Sequence, residues 1–334
     1  MNLFELTREL INIPSVTGSE GDIADFLALY LKKQGFDVDE QEVEERRRNI
    51  FASAGPSPGI VLCTHMDTVP GHFPAAEDNS FIYGRGACDA KGALSAMAVA
   101  AQELKEEGVN GLGLVFVVGE ETDSRGAKKA NDSGRRSEYI IVGEPTENKL
   151  GSGHKGVLNF KIKTKGKKAH SAYPHLGESA IDKILDVLQS IRHLAMEEHP
   201  VLGKTTVNIG VIEGGVASNV VADSATAILS LRTGFPSNKI VRRIKTVAGP
   251  RAEIEILSRS EPQILFTIPG FDEVVLPYCT DIPYLQSFGR PLLLGPGSAL
   301  VAHTDAEKVE KGQLLEAVGN YKKLAKILLE RIST

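Results

Sequence analysis

Three continuous apolar runs alternate with strongly helical segments in the first half of the chain, and this order constrains the fold more than any other feature. The runs are GIVLCTH (59–65), GLGLVFVVGEE (111–121) and EYIIVGEP (138–145), and the helical segments are 18–36 and 91–108. Apolar strands of this kind are buried on both faces, and strands that alternate with helices form parallel sheets. We therefore expect an α/β fold with a mixed, mainly parallel sheet flanked by helices. In the first helix, Ser19 is the expected N-cap and Gly35 the expected stop.

A different order of elements follows at about residue 156. The strands predicted there are 156–166, 205–215, 224–234 and 252–260, and the helices are 179–197 and 237–248. The order β-α-β-β-α-β is typical of a ferredoxin-like α+β domain. A covered strand at 290–297 and a helix region at 305–332 then return to the first pattern. We therefore predict one domain from residues 1–155 and 264–334, and an inserted ferredoxin-like domain at 156–263.

Length, charge and cysteine content exclude several classes of protein. A chain of 334 residues exceeds one typical core, and its net charge of −5 gives no reason to expect nucleic acid or a membrane as partner. The cysteines Cys63, Cys88 and Cys279 show no CxxC spacing, which disfavours a disulfide scaffold and a thiolate zinc module. We find no secretory signal and no apolar run of membrane-spanning length, so a cytoplasmic location is the default expectation.

Acidic and histidine side chains stand where the predicted strands end. The set comprises His65 after the first run, Glu120 and Glu121 after the second, Glu144 after the third, Asp89 before the helix at 91, and His303 after the strand at 290–297. Ligands of open α/β sheets bind at the carboxyl ends of the strands. We therefore expect these side chains to converge on one edge of the sheet.

Two histidines and several carboxylates suit a pair of divalent metal ions such as zinc, cobalt or manganese. One carboxylate can bridge two metals, as in aminopeptidases, and a neighbouring glutamate can act as a general base. Taken singly, each residue has a simpler interpretation. His65 and Asp67 could form a hydrogen-bonded pair, and Asp89 could complement a helix dipole. The joint occurrence of all these groups at one sheet edge favours the metal site.

Seven segments in the same order resemble a known family and cover nearly the whole chain. They are THMDTVP (64–70), GRGACDAKGALSAM (84–97), GEET (119–122), GEPT (143–146), GHKG (153–156), KKAHSAYPHLGESAI (167–181) and AHTDAEKV (302–309). The chain resembles the di-zinc metallopeptidases and deacylases that include acetylornithine deacetylase, succinyl-diaminopimelate desuccinylase, aminoacylase and glutamate carboxypeptidase. The GEPT and GHKG segments are most similar to the acetylornithine and acetyl-lysine deacetylase branch.

The resemblance implies a role for each predicted site residue. One zinc ion, or cobalt in its place, would bind to His65, Asp89 and Glu144, and a second would bind to Asp89, Glu121 and His303, with Asp89 bridging. Asp67 would orient His65 and fix its tautomer. Glu120 would be the general base.

The resemblance also gives roles to the inserted domain, which would be a lid and the contact of a homodimer. His170 would donate a hydrogen bond to the developing oxyanion, from the partner subunit in dimeric members, although it could be a surface histidine. We expect the lid to close over the metals. Asn219 would contact substrate or be a turn residue. Arg232 is one candidate partner for a substrate carboxylate, with Lys155 and Lys91 as alternatives.

The expected activity is removal of a short acyl group from an N-acyl amino acid. N-acetylornithine, in amino-acid biosynthesis, is the first choice, followed by N-acetyl-lysine and succinyl-diaminopimelate. A dipeptidase or carboxypeptidase is a further alternative. A metal-free, non-catalytic homologue is the least favoured interpretation, because every expected ligand is present.

Overall fold

The computed structural model of the chain describes residues 1–333. The helices are α1 (Leu3–Asn12), α2 (Gly21–Lys33), α3 (Lys91–Glu106), α4 (Arg125–Asn131), α5 (Ala180–Arg192), α6 (Ser237–Ala248) and α7 (Lys311–Ser333). The strands are β1 (Asp37–Glu44), β2 (Arg47–Ser53), β3 (Ile60–His65), β4 (Ala76–Glu77), β5 (Phe81–Tyr83), β6 (Leu112–Val117), β7 (Tyr139–Val142), β8 (Leu150–His154), β9 (Gly156–Lys165), β10 (Glu198–His199), β11 (Gly203–Lys204), β12 (Thr206–Gly214), β13 (Ser224–Thr233), β14 (Glu253–Ser260), β15 (Gln263–Ile264), β16 (Glu273–Leu276), β17 (Arg290–Leu293) and β18 (Lys308–Glu310).

These elements divide into two compact units. The first unit comprises Met1–Ser152, Leu265–Val274 and Thr280–Thr334, and the second comprises Gly153–Ile264 and Val275–Cys279. The domains predicted from the sequence, 1–155 with 264–334 and 156–263, have similar limits. They differ at residues 153–155, at Ile264 and in the short segment Val275–Cys279, all of which the sequence analysis assigns to the first domain.

The first unit contains a six-stranded sheet in the order β1-β2-β6-β3-β7-β17. Strands β6, β3, β7 and β17 are parallel to one another. Strand β2 pairs antiparallel with β6, and the edge strand β1 pairs antiparallel with β2. The predicted mixed, mainly parallel sheet is confirmed. The edge strand β1 was not predicted, because its sequence DVDEQEVE is almost entirely polar. Charged edges of this kind prevent pairing with other chains.

The helix α2 begins differently from the prediction, and Ser19 as its N-cap is wrong. Glu20 occupies that position without a side-chain capping bond. Its carboxylate is instead buried against Arg47, with Oε1 2.6 Å from Nη2 and Oε2 2.8 Å from Nε. The Glu20 carboxylate is thus paired with Arg47 and does not accept a backbone N–H from the first turn of α2. Gly35, with φ of +75°, follows the helix as predicted.

The second unit contains a four-stranded antiparallel sheet in the order β12-β13-β9-β14. One face of this sheet is covered by α5 and α6, which share an apolar core with it that includes Phe160, Ile184 and Ile244. Ser179 caps α5 by accepting the backbone N–H of Asp182. The sheet order and the two helices on one face confirm the ferredoxin-like prediction. Among residues 1–333, no helix combines the length and apolar character needed to cross a lipid bilayer.

Candidate metal centre

The carboxyl ends of the parallel strands in the first unit carry the predicted ligands. Strand β3 ends at His65 itself, β6 ends three residues before Glu120, and β7 ends two residues before Glu144. Asp89 lies in the loop before α3, and the loop between β17 and β18 supplies His303. Because parallel strands end at the same edge of a sheet, these side chains reach one region from separate parts of the sequence.

One cluster consists of His65, Asp89 and Glu144. One ligand atom of each lies within 4.8 Å of the others. Nε2 of His65 is 3.1 Å from Oδ1 of Asp89. His65 and Glu144 are buried, with 1% and 4% of their surface exposed. The cluster is therefore a largely enclosed set of one nitrogen and two oxygen donors.

A second cluster consists of Asp89, Glu121 and His303. Here too, one ligand atom of each residue lies within 4.8 Å of the others. Nε2 of His303 lies 3.2 Å from Oδ2 of Asp89 and 3.0 Å from Oε2 of Glu121. Asp89 thus directs one carboxylate oxygen to each histidine. The backbone of His303 is left-handed, with φ of +63°, a conformation that is uncommon for histidine and that loop contacts must hold.

The donor atoms fit divalent metal ions. Imidazole nitrogen and carboxylate oxygen are the ligands of zinc, and two ligands of one tetrahedral zinc ion stand about 3.3 Å apart. The observed separations of 3.0–3.2 Å are close to that value. Cys63 and Cys88 are buried nearby in sequence but belong to neither cluster.

The negative charge of the region favours the same interpretation. Burial, together with the Asp89 carboxylate, raises the pKa of Glu144 well above its ordinary value. Hydrogen bonds to Asp89 and Glu121 raise the pKa of His303 to about 10. Burial opposes a charge on His65, but the carboxylates of Asp67 and Asp89 outweigh it and raise the pKa of this ring. Closely spaced carboxylates that draw protons onto their neighbours are stabilised by bound cations.

Both the main chain and the side chain of Asp67 lie next to the His65 ring. Nδ1–H of His65 donates to the backbone carbonyl of Asp67 at 2.9 Å, whereas the carboxylate Oδ1 is 3.5 Å away. The main chain of Asp67 is therefore the closer partner of the ring, and its carboxylate forms a longer ion pair with the same nitrogen. The orienting role of the Asp67 side chain stays a prediction. In the neutral ring, which is the form that binds a metal ion, the bond from Nδ1–H to the carbonyl leaves the lone pair on Nε2, the nitrogen that faces Asp89. The carboxylate oxygens accept the backbone N–H groups of Glu120 and Glu121 and the hydroxyl of Thr17.

Glu120 is partly exposed as a residue, unlike Asp67, but its carboxyl group is buried. Burial of the carboxyl group and repulsion from Glu144 raise the pKa of Glu120 well above its ordinary value. A carboxylate with a raised pKa accepts protons more readily, as a general base must. Glu120 belongs to neither of the two donor clusters. Its side chain is therefore available for proton transfer.

Asp281 is a buried carboxylic acid that the sequence analysis does not single out. Its surface is 3% exposed, and Oδ1 has no hydrogen-bond partner among the described residues. Burial raises the pKa of Asp281 to about 6, although a hydrogen bond with Ser124 opposes the change. Asp281 in turn contributes to the raised pKa values of Glu120 and Glu144. Its segment CTDIPYL lacks the strand-end position that identifies the other acids.

His170 and Asn219 lie together in the second unit. The segments around them are joined by a β-bridge between His170 and Val220 and by the Ser171 N–H, which donates to the Asn219 carbonyl at 2.9 Å. Asn219 is in an exposed turn. The backbone N–H of Ala172 donates to Nδ1 of His170 at 3.0 Å. The neutral ring therefore carries its proton on Nε2, which can donate to a ligand.

The candidate cations for a substrate carboxylate have different surroundings. Lys91 is 1% exposed, and its Nζ donates to the carbonyl of Ile13, so it is not accessible to a substrate. Lys155 donates to the carbonyl of Lys204 at 2.5 Å. Arg232, on β13 of the second unit, is half-buried and forms a hydrogen bond with Cys279. Its guanidinium is thus not the freely exposed strand residue of the alternative interpretation.

Comparison with known proteins places the chain among peptidases. Residues 152–253 match the family described as the peptidase dimerisation domain. A peptidase M20 domain-containing protein of Schizosaccharomyces pombe is 40% identical over 97% of this chain and 84% of its own length. A protein of Aspergillus flavus named "probable carboxypeptidase" is 38% identical over 97% of this chain and 87% of its own.

Solved structures show the same fold. A tripeptidase of Staphylococcus aureus superposes with a TM-score of 0.83 at 24% identity and covers 98% of this chain and 97% of its own. A dinuclear metal-binding M20 peptidase of Bacillus subtilis gives a TM-score of 0.74 at 17% identity and covers 98% of each chain.

Proposed function

The chain belongs to the M20 peptidase family of metal-dependent hydrolases of amide bonds, and from this premise we propose that it is a two-metal carboxypeptidase or dipeptidase. The observation that carries the proposal is the pair of donor clusters that share Asp89. Two clusters with a common carboxylate are the arrangement that a two-metal hydrolase requires. The proposed substrate class is supported by relatives that are named probable carboxypeptidases.

His65, Asp89 and Glu144 would hold one ion, and Asp89, Glu121 and His303 the other. Zinc suits this set of nitrogen and oxygen donors, and cobalt is a further candidate. When bound, the ions would polarise the scissile carbonyl and acidify the attacking water.

The residues of the chain would then supply proton transfer and orientation. Glu120 would take a proton from the attacking water and pass it to the leaving amine. Asp67 would hold the Glu120–Glu121 turn through its two carboxylate oxygens. His170 would donate from Nε2 to the developing oxyanion. The bond from the Ala172 N–H to Nδ1 supports this role, because it leaves the proton of the neutral ring on Nε2. Asn219 is proposed as a substrate contact, and Arg232 as a partner for the substrate carboxylate.

A homodimer through the second unit is part of the proposal. The matched dimerisation domain supports it. Strand β12 is an edge strand, and Val211, Ile212 and the nearby Val216 are exposed by 40%, 53% and 72%. Exposed apolar edge strands pair readily with another chain. Light scattering after size exclusion would give twice the chain mass of 35.9 kDa if the dimer forms.

The substrate class can be resolved with four compounds: a free dipeptide, the same dipeptide blocked at its amine, the same dipeptide amidated at its carboxyl group, and N-acetylornithine. Cleavage of the amine-blocked compound but not of the amidated one identifies a carboxypeptidase. Cleavage of the free dipeptide alone identifies a dipeptidase. N-acetylornithine deacetylase, the first choice from sequence, has no support from the named relatives, and cleavage of that compound alone would restore it.

A Glu120→Gln variant is the control for these assays. It keeps the size of the side chain and removes the proton acceptor, so activity should fall about 10²- to 10⁴-fold. The number of metal ions bound should not change, because Glu120 lies outside both clusters. Full activity in this variant would overturn the assignment of the base.

A further inference from the structure

A buried ion pair joins the two loops that carry Asp89 and His303. Nη1 of Arg85 lies 2.7 Å from Oε2 of Glu307, and the two side chains are 4% and 1% exposed. The residues are 222 positions apart in the sequence. A buried charge pair is maintained only where further hydrogen bonds satisfy both groups. Those further bonds go to the backbone near Asp89, near His303 and in the loop at Gly71, and the Cys88 thiol also donates to Oε1 of Glu307.

Glu307 acts on the loop of Asp89. Its Oε1 accepts the backbone N–H of Asp89 at 3.2 Å and that of Cys88 at 3.3 Å. Its backbone carbonyl accepts the N–H of Gly84 at 3.2 Å. The same carboxylate therefore binds Arg85 with one oxygen and places the main chain of Asp89 with the other.

Arg85 acts on the loop of His303. Nη1 donates to the carbonyl of Thr304, the residue after His303, at 3.2 Å. Nε donates to the carbonyl of Gly71 at 3.2 Å, and the guanidinium lies 5.2 Å from the centre of the Phe73 ring. These contacts come from three directions, which the planar guanidinium can satisfy at once.

His303 depends on this loop contact more than the other predicted ligands do. Its side chain is 51% exposed, and its ring forms ion pairs with Asp89 and Glu121, which are themselves proposed ligands. His65 ends a buried strand, and Glu121 is held through its backbone by Asp67. His303 has neither support, and its left-handed backbone must be held by the loop itself.

We propose that Arg85 and Glu307 are positioning residues that fix Asp89 relative to His303 and thereby set the metal affinity of the Asp89–Glu121–His303 cluster. The inference rests on the proposed two-metal function. It predicts that loosening the pair weakens the Asp89–Glu121–His303 position more than the other. Asp89 is common to both clusters, but the other two ligands of the first cluster, His65 and Glu144, are held by strands β3 and β7.

The test is a Co²⁺ titration of the chelator-stripped full-length protein, followed by visible absorption and chelator competition, to obtain two stepwise dissociation constants. The main variant is Arg85→Lys. Lysine keeps the charge opposite Glu307, but its single ammonium cannot also reach the carbonyls of Thr304 and Gly71 in the same geometry. We expect the weaker dissociation constant to rise about 10- to 100-fold, as for other partners that orient metal ligands. The tighter constant should change less than about threefold, and the absorption band of the second cobalt ion should shift.

Two further variants separate the proposed positioning role from a general loss of stability. The double variant Arg85→Met with Glu307→Gln removes both charges and keeps the volume, so it serves if Arg85→Lys does not fold. It should show the same selective loss. Leu328→Ala, in the core near the far end of α7, is a control for lost stability alone and should leave both constants unchanged.

Unchanged constants in the Arg85 variants, or an equal rise in both constants, would overturn the proposed role. A wild-type protein that binds fewer than two cobalt ions would instead contradict the proposed two-metal function, before any variant is compared.

Discussion

The carboxylate of Asp67 accepts the backbone N–H of Glu120, with 3.0 Å between Oδ1 and the amide nitrogen. Its second oxygen accepts the N–H of Glu121 at 3.2 Å and the Thr17 hydroxyl at 2.7 Å. One buried side chain therefore places both the proposed base and a proposed metal ligand. Burial opposes a charge on Asp67, but the neighbouring His65 ring and the hydrogen bonds from Thr17 and Glu121 outweigh it and lower the pKa of the carboxyl group.

Replacement of Asp67 by asparagine should disturb this turn without changing its volume. The new amide group brings donors to a place where three donors already point, so one bond must break. We expect kcat/KM to fall about 10- to 100-fold. Thr17→Val, which removes only the hydroxyl donor, should cost several-fold less. A loss in Thr17→Val as large as that in Asp67→Asn would show that the backbone contacts are not the important ones.

His170 should contribute to kcat. The His170→Ala variant removes the Nε2–H donor, and loss of one oxyanion donor costs about 10²- to 10³-fold. His175→Ala is the matched control, because this exposed histidine stands in the same loop and contacts the same Tyr173 ring. The control should retain kcat within about twofold. Full kcat in His170→Ala would remove this residue from the proposed mechanism.

Alanine substitutions at Gly295 and Gly319 should change the free energy of unfolding in opposite directions. A Cβ atom at Gly295 would lie 2.5 Å from the carbonyl oxygen of Glu144, so Gly295→Ala must displace a proposed ligand. We expect a loss of about 1–3 kcal/mol in the free energy of unfolding. Gly319 is inside α7, and apart from the backbone of its own helix no described atom lies within 4 Å of its Cβ position. Gly319→Ala should therefore add about 1 kcal/mol to the free energy of unfolding. Urea unfolding measures both changes, and effects of the same sign would contradict this account of the two sites.

His154 should make the protein less stable in acid. Burial lowers the pKa of this ring from 6.5 to about 4 in the folded protein. Between these pH values the unfolded chain binds a proton that the folded chain does not, so stability falls as the pH falls from 6.5 to 4. The full effect is about 3 kcal/mol and is reached below pH 4.

The comparison of wild type with His154→Gln isolates this contribution, because glutamine does not titrate and the other groups are common to both proteins. The difference in unfolding free energy should shrink by about 3 kcal/mol between pH 7 and pH 4. A difference that is constant with pH would contradict the prediction.

Local sequence patterns predict much of this structure, because apolar runs and the polar residues that follow them are visible in short segments. The mainly parallel sheet, the ferredoxin-like order and the convergence of His65, Asp89, Glu121, Glu144 and His303 follow from such patterns. Contacts between distant residues do not. In the sequence nothing distinguishes Glu307 from other charged residues, because its partner Arg85 is distant along the chain. Ser19 resembles an N-cap in the sequence, and the contact between Glu20 and Arg47 is visible only in the structure.

The contacts of Asp67 show the same limit in a finer form. Its proximity to His65 in the sequence predicts that the two residues interact, but it does not predict which oxygen of Asp67 the ring contacts more closely. The choice of oxygen depends on Glu120 and Glu121, whose backbone N–H groups donate to the two carboxylate oxygens of Asp67.

The most direct test of the central claim is the number of Zn²⁺ ions bound per chain at saturation, measured together with peptide hydrolysis as the stripped protein is reloaded. We predict two ions in the wild type, one in His303→Ala, and activity that returns with metal. A wild-type protein that binds no ion, or that hydrolyses its substrate at full rate after chelation, would contradict the account.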